Sequence, residues 1–378
     1  NLRTKNLTQT LNKVDYIVLS PGISLKKNKK LNKFKKKIIT DIDLFYLIKK
    51  KSRTIVITGT NGKSTTCKLL AHILKKNKFK CTIGGNIGTP ILNAKNIEKG
   101  YVVIEASSFQ LSHSKFIRPD FAIFTNLSND HLDWHGQRNA YLNSKLKIFN
   151  LQKKNNVAII NKNLKKIFLK RKYSSKLVIP YYKKYEKIKL KIKNKYLTSN
   201  INDENMIFVY TFANLLGIKK KNFIKSVNTF RGLPHRFEIF LKKNKVTFIN
   251  DSKATSFKAS QFALSSINKN IFWILGGLPK KHDKIRLGKL KKNITRCYLI
   301  GKNINFFKKQ IKDKIDFRIT KNLSNSVNKI FKDIKLHKQN DKTILLSPAA
   351  ASFDQYKNFE KRGDEFKTLC RKYARKFL

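Results

Sequence analysis

Apolar residues along this chain fall into short runs, and the polar stretches between them carry their own periodicity. From Arg53 onward, runs at 55–58, 101–105, 121–126 and 157–161 are separated by loops or segments with apolar residues at helical spacing, such as Leu69, Leu70, Ile73 and Leu74. Strand alternating with helix predicts an α/β protein built on a mostly parallel sheet with helices on both faces. After Leu233-Pro234 the alternation restarts, at 246–250, 271–275, 297–300 and 343–346, which predicts a second α/β unit with a boundary near Gly232. Ahead of Arg53 there is less. A strand candidate at 16–19 runs into the turn Ser20-Pro21-Gly22, followed by a basic helix-like stretch, Ile38-Ile39, and an amphipathic segment around Leu44, Phe45, Leu47 and Ile48. Residues 165–197, rich in lysine with short apolar alternations, read as a weak β segment of the first unit, and a basic helix is expected over 358–377.

Composition changes this picture in one respect. The 378 residues include 84 Lys+Arg against 22 Asp+Glu, a formal net charge of +62, and such a balance raises nucleic acid or an anionic membrane as partners. The lysines are spread along the chain rather than gathered in one arm, and they accompany abundant Asn, Ile and Phe, so compositional drift accounts for them better than specific nucleic-acid binding. With 40% hydrophobic residues the chain has enough apolar surface for buried cores. Cys67, Cys81, Cys297 and Cys370 are scattered without metal spacing, which leads us to expect a reduced, cytoplasmic protein. No apolar run approaches the length of a membrane span and no signal peptide is recognisable. The chain opens at Asn1 and its one Met is Met206, so it reads as a fragment or an incomplete reading frame.

The strongest local signal is TIVITGTNGKSTT at 54–66. A strand ends at Gly59, a glycine loop follows, and a helix begins at once. Backbone N–H groups at such a junction face an anion, Lys63 would neutralise terminal phosphates, and Ser64 would ligate Mg²⁺. The loop is a shortened phosphate loop, because the general pattern places a glycine where this chain has Ile57. Three further blocks carry possible chemistry. Glu105, ending a buried-looking strand, is either a metal-ligating carboxylate or the residue before a serine-capped helix. Asn126 ends another strand, so in a parallel sheet both should lie near the loop. NLSNDHLDWHG at 126–136 is either a metal or proton-transfer site or a polar surface turn, and GLPHRFE (232–238) with INDSKAT (249–255) suits either a nucleotide clamp or a solvated linker. His72, inside the helix after the loop, reads as structural.

Taken in order, these blocks resemble the Mur ligase family. The match runs over nearly the whole chain: SPGI (20–23), GTNGKST (59–65), GGNIGTP (84–90), EASSFQL (105–111), DHLDWHG (130–136), GLPHRFE, NDSKAT and LLSPAAASFDQYKNFEKRGDEF (345–366). SSFQL and the SPAAASFDQ block point to the D-glutamate-adding member. The resemblance implies a three-domain α/β architecture: a truncated N-terminal Rossmann-like domain at 1–48 for the UDP-substrate, a central P-loop ATPase domain at 49–232, and a C-terminal Rossmann-like amino-acid-binding domain at 233–378. It implies ATP and Mg²⁺ as cofactors, UDP-N-acetylmuramoyl-L-alanine and D-glutamate as substrates, and a monomer.

By the same resemblance, Gly59, Thr60, Asn61, Gly62, Lys63, Ser64, Thr65 and Thr66 hold ATP together with Asn205, His235, Arg236 and Asp251. Ser64, Glu105, His131 and a carbamylated Lys145 serve the metal. Lys63, Lys145, His131 and Arg236 are the catalytic set. Ser20, Pro21, Gly22 and Asn86 meet the muramoyl end, while Lys253, Thr255, Lys280, Ser352, Phe353 and Phe359 lie near D-glutamate. The chain departs from the family pattern in three places. Ser199-Asn200-Ile201-Asn202 replaces a GxHN block, Leu278-Pro279 replaces an Asp-Gly, and the glycine-rich βα unit that opens the first domain is not seen. Another Mur-type or folylpolyglutamate-type ligase, a basic P-loop protein that binds nucleic acid, and an inactive product of a decaying gene are the alternatives.

Overall fold

The computed structural model describes residues 7–25, 28–48, 51–94, 99–128, 130–194, 196–198, 200–280, 283–336 and 341–378, so Ser199 and part of the basic stretch after Gly22 lie outside the described residues. The chain divides into two compact units, 1–231 and 232–378.

In the first unit, β1 (Ile17–Val18) and β2 (Ile38–Ile39) form a small parallel pair. The main sheet holds β3 (Arg53–Thr58), β4 (Cys81–Gly85), β5 (Tyr101–Glu105), β6 (Phe121–Phe124), β7 (Val157–Ile160) and β8 (Lys176–Val178). Its order is β4-β5-β3-β6-β7-β8, parallel throughout. The central strands are apolar on both faces because helices cover both. Ile55 and Ile57 pack into one core with Leu69, Leu70 and Ile73, while Val56, Val102 and Ile104 pack into the other with Leu146 and Phe149. Each such side chain contributes about 1.5–3 kcal/mol by leaving water. The register sets Ile57 opposite Glu105 and Thr58 opposite Phe124, so the carboxyl ends of β3, β5 and β6 lie level.

Five helices of this unit matter for the site: α1 (Asp41–Ile48), α2 (Lys63–Lys76), α3 (Ser108–His113), α4 (Arg138–Asn150) and α5 (Asn200–Leu215). The buried Asp43 ties α1 to the body of the unit, accepting from the hydroxyl of Ser114 (2.6 Å) and the amides of Lys115 (2.9 Å) and Phe116 (2.7 Å). Helix α3 starts with a capping box, Ser107 with Gln110, and the Gln110 amide group donates to Asp41 (3.1 Å).

The stretch 165–197 is a correction. Its regular structure is mainly helical, with helices Lys165–Lys170 and Tyr182–Lys189 and the short β8 between them. In and just after the second of these helices Tyr185, Ile188 and Ile192 are buried, a helical spacing, while Lys183, Lys184, Lys187 and Lys191 are exposed and Lys189 pairs with Asp203 (2.7 Å).

The second unit repeats the architecture with one change. Strands β9 (Glu238–Lys243), β10 (Val246–Asn250), β11 (Ile271–Gly276), β12 (Ile294–Ile300), β13 (Phe317–Lys321) and β14 (Lys342–Leu346) run in the order β13-β12-β11-β14-β10-β9. Only β9 is antiparallel, hairpinned onto β10. Helices α6 (Leu323–Leu336) and α7 (Phe359–Phe377) pack on one face, and Asn358 caps α7 by accepting from the Lys361 amide (2.9 Å). Among the described residues no helix is long and apolar enough to cross a membrane.

Candidate active site

The loop between β3 and α2 is built as its sequence requires. Gly62 has φ +79°, a left-handed conformation, and a Cβ there would lie 1.9 Å from the Asn205 side-chain oxygen, so only glycine fits. No side chain caps the start of α2. A helix beginning on a glycine turn at the carboxyl edge of a parallel sheet favours an anion. Lys63 folds back over the loop, its Nζ donating to the carbonyls of Gly59 (2.8 Å) and Thr60 (2.9 Å). Ser64, Thr65 and Thr66 are buried in the first turn, and Thr66 donates to Asn205 (3.2 Å). Asn61 is exposed at the tip.

The other predicted residues of the first unit gather around this loop. Glu105, at the end of β5, is buried. One of its oxygens accepts from Asn86 Nδ2 (3.0 Å), and the other has no hydrogen-bond partner. Lys145, on α4, is fully buried and donates to the Gly59 carbonyl (2.8 Å), with its Nζ 4.7 Å from the centre of the Tyr141 ring. Burial, reinforced by the positive charge of Lys63, holds this amine well below the ordinary lysine range. His131 sits at φ +54°, 3.5 Å from Asp130 and against the Phe109 ring at 4.7 Å between centroids. Ser20-Pro21-Gly22 forms a turn closed by the Ile23 amide on the Ser20 carbonyl (3.0 Å). Among the described residues no three His, Cys, Asp or Glu side chains cluster closely enough to hold a metal by themselves. A cation at Glu105 therefore needs hydroxyl, modified lysine or water as further ligands.

Several site residues escaped sequence reasoning. Tyr141 bonds Thr60 (3.0 Å), and Asn126, expected only to lie nearby, accepts from the amides of Thr60 (3.1 Å) and Asn61 (2.9 Å). The partner of Asn126, Glu204, lies far along the chain and carried no local signal.

In the second unit, His235, Asp251, Lys253 and Phe359 come together at the ends of β10 and the start of α7. His235 is buried with φ +60°, accepts at Nδ1 from Asn250 Nδ2 (2.9 Å), and has its ring 5.9 Å from Phe359. Lys253 lies over the Phe359 ring at 3.7 Å. Asp251 accepts from the Ser347 hydroxyl (2.7 Å) and the Phe237 amide (3.1 Å), yet burial pushes its acid up to about 7. Ser352 is buried, Phe353 is 71% exposed, and Lys280 is exposed beyond Leu278, which bridges Ala351. Arg236 and Thr255 are half-buried near these turns. Arg362, unassigned from sequence although it stands in the NFEKRG block, is the buried charge of this region: it donates to the Ser252 hydroxyl (3.0 Å), the Ser252 carbonyl (2.8 Å) and the Ala350 carbonyl (2.9 Å).

A glycine loop opening a helix, a lysine folded over it, and a buried carboxylate and amine beside it define a P-loop α/β protein that handles phosphates. The comparisons narrow this. Residues 57–220 match the model of the Mur ligase middle domain. The UDP-N-acetylmuramoylalanine–D-glutamate ligase of Rickettsia prowazekii is 36% identical over 382 residues, covering 95% of this chain and 85% of that protein. The enzyme of the same name from Francisella tularensis subsp. tularensis (strain SCHU S4) is 35% identical, covering 97% and 88%. In fold, the chain is similar to the MurF ligase of Thermotoga maritima in complex with ADP, with a TM-score of 0.62 and 18% identity over 92% of this chain and 85% of that one. The chain belongs to the Mur ligase family, and it is an enzyme of the ligase class.

Proposed function

We propose that this ligase joins D-glutamate to the carboxylate of UDP-N-acetylmuramoyl-L-alanine at the expense of ATP, through an acyl-phosphate, in peptidoglycan precursor synthesis. The relatives that carry this name cover nearly the whole chain, and the observation that carries the chemistry is the loop at 59–66 with Lys63 folded over it and Glu105 and Lys145 buried beside it. The ligase acts with ATP held at Gly59, Thr60, Asn61, Gly62, Lys63, Ser64, Thr65, Thr66 and Asn205; His235, Arg236 and Asp251 are the nucleotide-contacting residues that the family resemblance assigns. A transferring phosphoryl group needs its charge neutralised and its partners aligned, more than it needs covalent help. Lys63 and Arg236 supply that charge.

The buried, unpartnered oxygen of Glu105 suits a cation. Ser64, Glu105, His131 and Lys145 would hold Mg²⁺, which would add a Lewis acid at the phosphates. Lys145 is suited to carbamylation, because its burial favours the neutral amine that the reaction with CO₂ requires, and the carbamate would bring a negative charge in place of an ammonium. Residues 1–48, with Ser20, Pro21, Gly22 and Asn86, serve the muramoyl end. Residues 49–232 serve ATP. Residues 233–378 serve the amino acid, with Lys253, Thr255, Lys280, Ser352, Phe353 and Phe359 nearest D-glutamate. The protein works as a cytoplasmic monomer with no specific nucleic-acid partner.

The test is ADP release with UDP-N-acetylmuramoyl-L-alanine and each of D-glutamate, L-glutamate, L-alanine and a diamino acid. D-glutamate is expected to lead by about tenfold or more in kcat/KM, roughly 1.4 kcal/mol. A lead of that size for any other amino acid moves the protein to a sister ligase.

A further inference from the structure

Helix α5 braces the phosphate loop from two sides, and one of the two contacts is unexplained by the loop motif. Asn205 stands against Gly62 and accepts from Thr66 (3.2 Å). Its neighbour Glu204 is half-buried, and each carboxylate oxygen takes one carboxamide N–H: Oε2 from Asn126 (2.6 Å) and Oε1 from Asn161 (2.8 Å). Asn161 directly follows β7, and Asn126 lies two residues past the level end of β6. On its other side Asn126 accepts, through Oδ1, from the amides of Thr60 (3.1 Å) and Asn61 (2.9 Å), while its Nδ2 also reaches the Asn61 carbonyl (3.2 Å).

A carboxamide can be turned over in place, exchanging oxygen for NH₂ at little steric cost. Turned over here, Asn126 would set its NH₂ against two backbone N–H donors, and its oxygen against the Glu204 carboxylate. An ionised carboxylate accepts only, so Glu204 selects the orientation in which Asn126 offers NH₂ to it and oxygen to the loop. Burial raises the pKa of Glu204, and the two amide donors oppose that shift.

We infer that Glu204 is a positioning residue: by fixing the carboxamide of Asn126 it holds the Thr60–Asn61 backbone in the shape that receives the nucleotide phosphates. This inference rests on the ATP-binding reading of the loop. Glu204 touches no substrate group itself; its effect passes through Asn126. The Thr60 amide has a second acceptor in the Asn126 carbonyl (2.9 Å), so the Asn61 amide is the sharper reporter.

The experiment measures ADP affinity by calorimetry, hydrogen exchange at residues 54–63 and Tm, for the full chain and for Glu204→Ala, Glu204→Gln, Asn126→Ala and the Ala/Ala double variant. Glu204→Ala is expected to weaken ADP by about tenfold and to speed exchange at the Asn61 amide. Glu204→Gln keeps one acceptor oxygen for Asn126 and is expected to recover affinity to within about threefold of the parent. The double variant is expected to bind no more weakly than Asn126→Ala alone, because Glu204 acts through that side chain. A Glu204→Ala protein with lowered Tm but parental ADP affinity and parental Asn61 exchange overturns the inference, and so do multiplied losses in the double variant. If Glu204→Ala does not fold, Glu204→Gln decides by the exchange of Asn61: protection near the parent's supports the inference, and protection lost to the level of Asn126→Ala overturns it. Failure of the parent chain to bind ADP is a separate result and removes the loop reading beneath it.

Discussion

The two units place ionisable side chains at the carboxyl ends of similarly built sheets and use them differently. In the first unit the buried Asp43 is bonded within the unit, whereas two other buried groups stand beside the phosphate loop: Glu105 keeps an oxygen without a partner, and Lys145 meets a carbonyl but, among the described residues, no carboxylate at bonding distance. In the second unit Asp333 pairs with Arg296 and Arg318 of the strands, and the two buried charges near the strand ends bind the unit's own turns. Asp251 joins the turn at Phe237 to Ser347 after β14, and Arg362 joins Ser252 to Ala350 through Nε and Nη2 while its buried Nη1 has no hydrogen-bond partner. A buried charge bonded to its own unit's turns acts as a strut even where, as at Arg362, one donor is spare, whereas the spare oxygen of Glu105 lies beside the phosphate loop and so suits a ligand. The sheet decides only where both are placed.

Three variants test that contrast. Lys63→Ala should have the largest effect: turnover falls by about 10³-fold or more with little change in Tm, because the side chain contributes charge at the phosphates rather than packing. Parental turnover of ATP with both substrates present would remove the loop from the mechanism. Asp251→Asn comes next and acts on stability. The acid is raised in the folded state, so below about pH 4 both folded and unfolded chains carry the proton and the group has no effect. As pH climbs toward 7 the unfolded chain releases its proton first, and stability falls by up to about 4 kcal/mol. The Asn variant should therefore gain stability over the parent progressively between pH 4 and 7, read as a growing Tm difference; a difference that stays flat across that window would contradict the burial. Arg362→Ala should destabilise the second unit by about 3 kcal/mol, since it strips a donor from two buried carbonyls and a hydroxyl. A Tm unchanged to within a degree would show that Arg362 is no strut.

The central strands of both sheets were legible in the sequence, and the edges were not. Strands β4, β9 and β13 went unnamed, and β8 was submerged in a stretch read as β throughout. Each of these is an edge. A strand buried on both faces must be apolar along its length, whereas an edge strand is freed from that demand and carries charge or glycine instead, as in Glu238–Lys243 and the two glycines of Cys81–Gly85. The site divides the same way. The loop announced itself because its function lies in consecutive residues. Glu204, Tyr141 and Arg362 act on residues 78, 81 and 110 positions away, respectively, and no local pattern marks them.

Those unread edges have a colloidal consequence. An open strand edge offers a row of backbone donors and acceptors to any second copy that drifts alongside. Here β8 carries Lys176, β9 carries Lys242 and Lys243, and β13 carries Arg318 and Lys321, on a molecule of net charge +62. Two copies approaching edge to edge meet like charge first, at a range set by the ionic atmosphere: about 30 Å in 0.01 M salt but only about 8 Å at physiological strength. Dispersion in solution thus depends on the salt around the protein as much as on its fold. Dilute buffers keep the edges apart, and concentrated salt or a polyanion removes the barrier that the lysines provide.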